Sequence, residues 1–214
     1  MNYNEILQSI INEYPNDEPI LIEEIKECLK TKLGDNFNNA MKSIYVYINR
    51  MVKAGIIKNE YKGVYYKPTN GIFGEKPLNT NKIIEKKYLY DDKGIKGYIG
   101  GAELFNKLGL TTQVPNNTLI ITNECPNNND YKNNKLFVTV RKPKIPITTE
   151  NYLYLQLIDI LINKDNVNIE VENVKEIVYD FINQNDLMMS KIFEYAKKTN
   201  NKAAIITLYE MENR

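Results

Sequence analysis

The sequence predicts an α+β protein, and three observations support this prediction. Residues 36–68 run from an amphipathic helical pattern directly into a short hairpin pattern. Two β-rich runs at 118–122 and 135–140 flank an asparagine-rich loop, which predicts a small antiparallel sheet. From residue 149 onward the hydrophobic spacing is helical. We therefore expect an N-terminal helical module with a hairpin, followed by a mixed α+β domain with a helical C-terminal part.

Three helices are predicted before the hairpin. Apolar residues recur at helical spacing over 4–14 and over 22–32, and Pro15 ends the first of these helices. Asp35 or Asn36 can cap a third helix, which Gly55 ends because glycine adopts the left-handed cap conformation without a Cβ clash. The predicted buried stripe of this third helix consists of Phe37, Ala40, Met41, Ile44, Ile48, Met51 and Val52.

Two short runs, 56–58 and 64–67, follow the third helix and predict a hairpin. The order of three helices and a hairpin is that of a winged helix-turn-helix module, which we assign to residues 1–68. Residues 69–77 contain two glycines and a proline and are predicted to be a linker or a turn between domains. Residues 78–214 then form the second, mixed α+β domain.

The outward face of the third helix is polar and cationic, and its residues are Asn39, Lys42, Ser43, Val46, Asn49, Arg50 and Lys53. Charge is also polarised along the chain, because residues 36–67 hold six cations and one acid, whereas residues 1–35 hold three cations and eight acids. Such a helix can enter the major groove of double-stranded DNA. The simpler interpretation is that lysine and asparagine only solvate this helix in a chain that is rich in both.

Each residue of the predicted DNA-binding face has an expected role. Side chains that can hydrogen-bond to base edges are Asn39, Ser43, Asn49 and Arg50. Side chains expected at phosphates are Lys42, Lys53, Lys58 and Lys62. Val46 either meets a thymine methyl group or packs against the second helix, and Tyr61 at the tip of the hairpin is expected to stack on a sugar.

The second domain contains a glycine-rich turn and a basic run. The glycines of GYIGG (97–101) lack the lysine and the spacing of a phosphate-binding loop, so we interpret them as a tight strand-to-helix turn. A second candidate surface for DNA or an acidic partner is formed by Lys135, Arg141, Lys142 and Lys144. The acidic C-terminal third is expected to stabilise the core or to bind a protein partner. Core packing is the expected role of most of its apolar residues.

Composition argues against catalysis, cofactors and membranes. The chain has no histidine, which removes the commonest general base and metal ligand, and we expect no enzyme, no metal site and no cofactor. Cys28 and Cys125 have no zinc-type spacing and are expected to be free thiols, although the sequence leaves a disulfide open. An acid stands where a signal peptide would carry lysines, and no apolar run reaches membrane-spanning length, so we expect a cytoplasmic protein. A net charge of +1 means that nucleic-acid contacts must come from a local patch.

Two segments resemble a known family. The run GGAELFNKLGLTTQVPNNTLIITN (100–123), followed by RKPKIPIT (141–148), resembles the second domain of AbiEi-like antitoxins of bacterial abortive-infection type IV toxin-antitoxin pairs. The segment INRMVKAGIIKNEYKGVYYKP (48–68) is similar to the recognition helix and wing of that family. The resemblance spans roughly residues 20–162 and implies a repressor that binds inverted repeats in its own promoter. It also implies that the protein counteracts a nucleotidyltransferase-like toxin without a stable complex, and two copies are expected on an inverted repeat.

The alternative hypothesis belongs to another class of protein. In it, the winged helix is a protein-interaction module, and the second domain binds a partner without specific DNA binding. Binding to the protein's own upstream DNA separates the two hypotheses.

Overall fold

The structure is a computed structural model that describes residues 3–72 and 74–212. The chain divides into two compact units, Met1–Ile83 and Ile84–Arg214. About half of the chain is helical and the strands form small sheets, so the predicted α+β class is confirmed. Within the described ranges, no helix combines the length and the apolar character that crossing a bilayer requires.

The described residues of the first unit, 3–72 and 74–83, form three long helices, two small sheets and most of a short fourth helix. The elements before the fourth helix are α1 (Tyr3–Glu13), β1 (Ile20–Leu21), α2 (Ile22–Leu33), a 3-10 turn (Gly34–Asn36), α3 (Phe37–Lys53), β2 (Lys58–Tyr61), β3 (Val64–Tyr66), β4 (Asn70–Gly71) and β5 (Gly74–Glu75). β3 lies between β1 and β2 and pairs antiparallel with both. The three predicted helices and the hairpin after them are therefore present.

The core of the first unit is built on α3. Its buried side chains are Ala40, Ile44, Ile48 and Met51, which pack with apolar residues of α1 and α2. The predicted stripe is confirmed, because helical periodicity places these residues on one face. Gly55 has a φ of 72°, and its N–H donates to the carbonyl of Val52, so the predicted helix end is also confirmed.

The prediction of a linker at 69–77 is wrong. β4 and β5 form a hairpin within the first unit, and Asp17 accepts hydrogen bonds from the backbone N–H and the hydroxyl of Thr69. Glu75 accepts a hydrogen bond of 2.9 Å from the Tyr66 hydroxyl and also contacts the Lys58 ammonium group. The local glycine and proline content suggested a linker. The contacts that fix this segment, from Asp17 and Lys58, come from outside it and are not visible in its local composition.

The second unit begins at Ile84, the last residue of the short helix α4 (Thr80–Ile84). The elements that follow are a π-helix (Glu85–Leu89), β6 (Tyr90–Asp91), β7 (Gly94–Ile95), β8 (Gly97–Gly100), α5 (Gly101–Lys107), β9 (Thr118–Thr122), β10 (Tyr131–Asn133), β11 (Val138–Arg141), α6 (Tyr152–Asn163), a 3-10 helix (Lys164–Asn166), α7 (Val174–Gln184), α8 (Met189–Lys198) and α9 (Lys202–Glu212). β8 ends where α5 begins, at Gly100 and Gly101, so GYIGG is the predicted strand-to-helix turn. A Cβ at Gly97 would lie 2.1 Å from the carbonyl oxygen of Tyr88, which explains why that position needs glycine.

The four-stranded sheet of the second unit has the order β10-β11-β9-β8. The predicted antiparallel hairpin between 118–122 and 135–140 is wrong, because β9 and β11 pair parallel, from Thr118 opposite Val138 to Ile121 opposite Arg141. The antiparallel partner of β11 is β10, and the Asn133 side chain accepts hydrogen bonds from the backbone of the turn between them. The long asparagine-rich segment thus acts as a crossover, which parallel pairing requires.

Helix α6 is the centre of the second unit. Its buried residues occur on nearly every side and are Tyr154, Leu155, Leu157, Ile158, Ile160 and Leu161. α6 packs against α5, α8, α9 and β8, and most of the buried apolar residues of α7, α8 and α9 belong to the same core. The expectation that the C-terminal third mainly packs a core is therefore confirmed.

Candidate nucleic-acid interface

The polar stripe of α3 lies on the solvent side of the first unit. Six of its seven predicted residues are exposed and Ser43 is half-buried; the exposed ones are Asn39, Lys42, Val46, Asn49, Arg50 and Lys53. Val46 is 49% exposed, so it does not pack into the interface with α2. The same helical periodicity that buries one face of α3 brings these side chains into one stripe.

The cations of this stripe are not neutralised by nearby acids. Among the residues that the structure describes, the stripe cations Lys42, Arg50 and Lys53 form no salt bridge, and neither does Lys62 of the hairpin turn. The Arg50 guanidinium group lies 5.5 Å from the centroid of the Tyr47 ring, which orients it by a cation-π contact. The stripe therefore presents uncompensated positive charge to solvent.

Tyr45 is an exposed aromatic residue of α3 that is not among the residues of the predicted stripe. It is 42% exposed, and the Lys26 ammonium group of α2 lies 5.8 Å from its ring centroid. Its spacing of three from Lys42 and four from Asn49 would have placed it beside the stripe. It adds a ring to a surface otherwise made of amide, hydroxyl and cationic groups.

The hairpin β2–β3 differs from prediction at Tyr61. This side chain is only 8% exposed, so the expected stacking of Tyr61 on a sugar is wrong. The register between β2 and β3 shifts between Asn59 and Tyr61, and such a bulge redirects the side chain that follows it. Lys62 is exposed in the turn and is the hairpin cation best placed for a phosphate.

Lys58 is the one predicted phosphate contact with a visible acidic partner. Its ammonium group contacts Glu75, and this hydrogen bond is the main reason that the pKa of Glu75 is lowered from its ordinary value. The Tyr66 hydroxyl also donates to Glu75. Burial is the main cause that raises the pKa of Tyr66 to about 12, and this hydrogen bond is the second. The charge of Lys58 is thus partly matched within the first unit.

The second candidate surface is divided by the fold. Arg141, Lys142 and Lys144 line one cavity of the second unit, whereas Lys135 lies in the turn before β11 and does not line it. Arg141 forms a two-pronged salt bridge with Asp130, at 2.9 Å from Nε and 2.7 Å from Nη2. This pairing lowers the pKa of Asp130 and reduces the net charge that Arg141 offers to an external polyanion.

The described residues form no candidate metal centre, and the comparisons with known proteins assign no family. Among the described residues, no three or more histidine, cysteine, aspartate or glutamate side chains are grouped in a way that could hold a metal ion. No protein-family model matches the chain, and no curated protein sequence matches it. The AbiEi-like resemblance therefore remains a prediction from the residues that carry it.

Proposed function

We propose that the first unit is a winged helix-turn-helix module that binds double-stranded DNA. The observation that carries the proposal is the exposed stripe of α3, whose cations have no acidic partner among the described residues. The order of three helices and a hairpin supports the same assignment, with α3 as the helix that enters the major groove.

The residues of the stripe take distinct roles in this proposal. Asn39, Ser43, Asn49 and Arg50 hydrogen-bond to base edges, and Val46 contacts a thymine methyl group. Lys42, Lys53 and Lys62 contact phosphates. Lys58 also contacts a phosphate when its ion pair with Glu75 breaks. Tyr61 has no role because it is buried.

The proposed biological role is that of a transcriptional repressor and antitoxin of a type IV toxin-antitoxin pair. It rests on the resemblance of residues 100–123 and 141–148, and the protein would act on inverted repeats in its own promoter. Two copies would then occupy half-sites roughly 10 bp, or a multiple of it, apart. The partner is a nucleotidyltransferase-like toxin that is counteracted without a stable complex.

We expect the full-length protein to shift DNA from upstream of its own coding sequence and to leave a scrambled competitor unbound. Because each phosphate contact releases counterions, Lys53→Ala should reduce the slope of log affinity against log salt by about one unit. Fluorescence anisotropy over a salt series measures this slope, and Lys197→Ala on exposed α8 is the matched control. Equal affinity for native and scrambled DNA would contradict the proposal and favour the protein-interaction module.

The antitoxin role predicts a growth phenotype. Expression of the toxin-like gene next to this one should arrest growth, and coexpression of the full-length protein should restore it. Since no stable complex is proposed, affinity purification of the tagged protein should not retain the toxin. Growth arrest that persists at equal expression of both proteins would refute this role and leave DNA binding untouched.

A further inference from the structure

A single carboxylate interrupts the most buried helix of the protein. Asp159 is the only charged residue of α6, and its Oδ2 accepts a hydrogen bond of 2.9 Å from the hydroxyl of Tyr98 on β8. A Cβ at Gly100 would lie 2.5 Å from Cδ1 of Ile121 but at an ordinary contact distance of 3.7 Å from the same oxygen, so packing against Ile121 is what requires glycine there. Burial raises the pKa of Asp159 to about 6, although the bond from Tyr98 and the charge of Arg141 oppose this shift. Such a group costs stability, which is typical of functional rather than packing residues.

The Asp159 carboxylate has hydrogen-bonding capacity that the described residues do not use. Among the residues that the structure describes, Tyr98 is the only hydrogen-bond donor to the Asp159 carboxylate. Asp159 and Tyr98 line a cavity of about 150 Å³ in the second unit. Its apolar walls are Ile121, Ile145, Leu155, Ile158 and Ile162. The cavity thus combines apolar walls with one acceptor that has unused capacity.

Three cations line the same cavity. Arg141 uses Nε and Nη2 for Asp130, which leaves Nη1 for another acceptor. Lys142 donates to Asn128 at 3.0 Å and Lys144 donates to Asn201 at 2.6 Å. Each ammonium group has three donors, so both lysines keep donors for an anion.

The chemistry of this cavity restricts its ligand. A simple anion would be repelled by ionised Asp159, and a simple amine would be repelled by the three cations. A ligand that suits both Asp159 and the three cations must carry a hydrogen-bond donor at one end and several negative charges at the other. Between these ends it must have a flat apolar body. The volume is below the roughly 300–1,000 Å³ of pockets for drug-sized ligands, so only part of such a ligand enters.

We propose that this cavity binds a nucleotide, with the base between the isoleucine and leucine side chains and its exocyclic amino group donating to Asp159. The ribose lies at the mouth, and the phosphates contact Arg141, Lys142 and Lys144. Three cations exceed what one carboxylate ligand needs and suit the multiple charges of a phosphate chain. This site is separate from the α3 stripe and does not depend on DNA binding by the first unit.

Isothermal titration calorimetry of the full-length protein tests the proposal with separated parts of the ligand. ATP and CTP should bind, whereas adenosine and tripolyphosphate should each bind at least about tenfold more weakly, because each supplies only half of the contacts. UTP has no exocyclic amino group and should bind more weakly than CTP. Tripolyphosphate binding as tight as that of ATP would overturn the proposal, because it would indicate an unspecific cationic patch.

Variants locate the binding in this cavity. Asp159→Asn keeps an acceptor for Tyr98 but loses the negative charge, and it should weaken ATP about tenfold or more without weakening tripolyphosphate. Lys142→Ala with Lys144→Ala should weaken ATP and leave adenosine unchanged. Asp180→Asn and Lys197→Ala, on exposed positions of α7 and α8, are the matched controls. Full ATP affinity in Asp159→Asn, or no ATP binding by the native protein, would overturn the proposal.

Discussion

Alanine at both Lys42 and Arg50 is expected to lower the affinity of the protein for its own operator by about one hundredfold or more. The change removes a proposed phosphate contact and a side chain that can bond a guanine edge with two hydrogen bonds, which alone is worth about 1–3 kcal/mol. Both side chains are exposed, so the variant should fold with unchanged stability. Fluorescence anisotropy at constant salt measures the loss.

The control for this double variant has the same charge change elsewhere. Lys197→Ala with Lys202→Ala removes two positive charges from exposed positions of α8 and α9. Nonspecific attraction would weaken equally in both double variants, whereas a specific interface on α3 predicts a loss in the first alone. Operator affinity that is the same for both double variants would remove the assignment of the α3 stripe.

Asp159→Asn is expected to increase the free energy of unfolding by up to about 3 kcal/mol at neutral pH. The pKa of Asp159 rises from 3.8 to about 6 on folding, and each unit corresponds to about 1.4 kcal/mol. The sign follows from proton binding, since the folded state binds the proton more tightly than the unfolded state does. Well below pH 4 the carboxyl is protonated in both states, and the penalty develops between the unfolded pKa of 3.8 and the folded pKa of about 6 and levels off at higher pH.

Urea denaturation as a function of pH measures this difference. The advantage of Asp159→Asn over the native protein should approach zero well below the unfolded pKa of 3.8 and be greatest above the folded pKa of about 6. Asp180→Asn is the control, because it makes the same substitution at an exposed position of α7. An advantage that is the same at pH 4 and pH 7 would mean that the amide packs better and that ionisation of Asp159 carries no cost.

Much of the first unit was predictable because its information is local. The three-and-four spacing of Ile44 and Ile48 identified the buried face of α3 and placed Val46 on the opposite, exposed face. Gly55 marked the end of that helix because few other residues adopt a positive φ there. Such patterns depend on neighbours within one or two turns, so the sequence alone contains them.

Strand partners were less predictable. β11 pairs parallel with β9 and antiparallel with β10, although the two longest β-rich runs suggested one hairpin. Tyr61 was expected at the hairpin tip, but a one-residue register shift turns it inward. A strand pattern specifies which side chains face each side of the sheet, but it does not specify which strand is the hydrogen-bonded neighbour. Any free strand edge can satisfy the backbone hydrogen bonds.

The sequence by itself determined the helices, the polar stripe of α3 and the absence of histidine chemistry. Only the tertiary structure decided that Glu75 partly neutralises Lys58 and that Asp159 lies with Tyr98 beside the basic run 141–144. The physical reason is the range of the interactions. Helical periodicity and capping act between residues a few positions apart, whereas ion pairing and desolvation act between side chains that are adjacent only after the chain has folded.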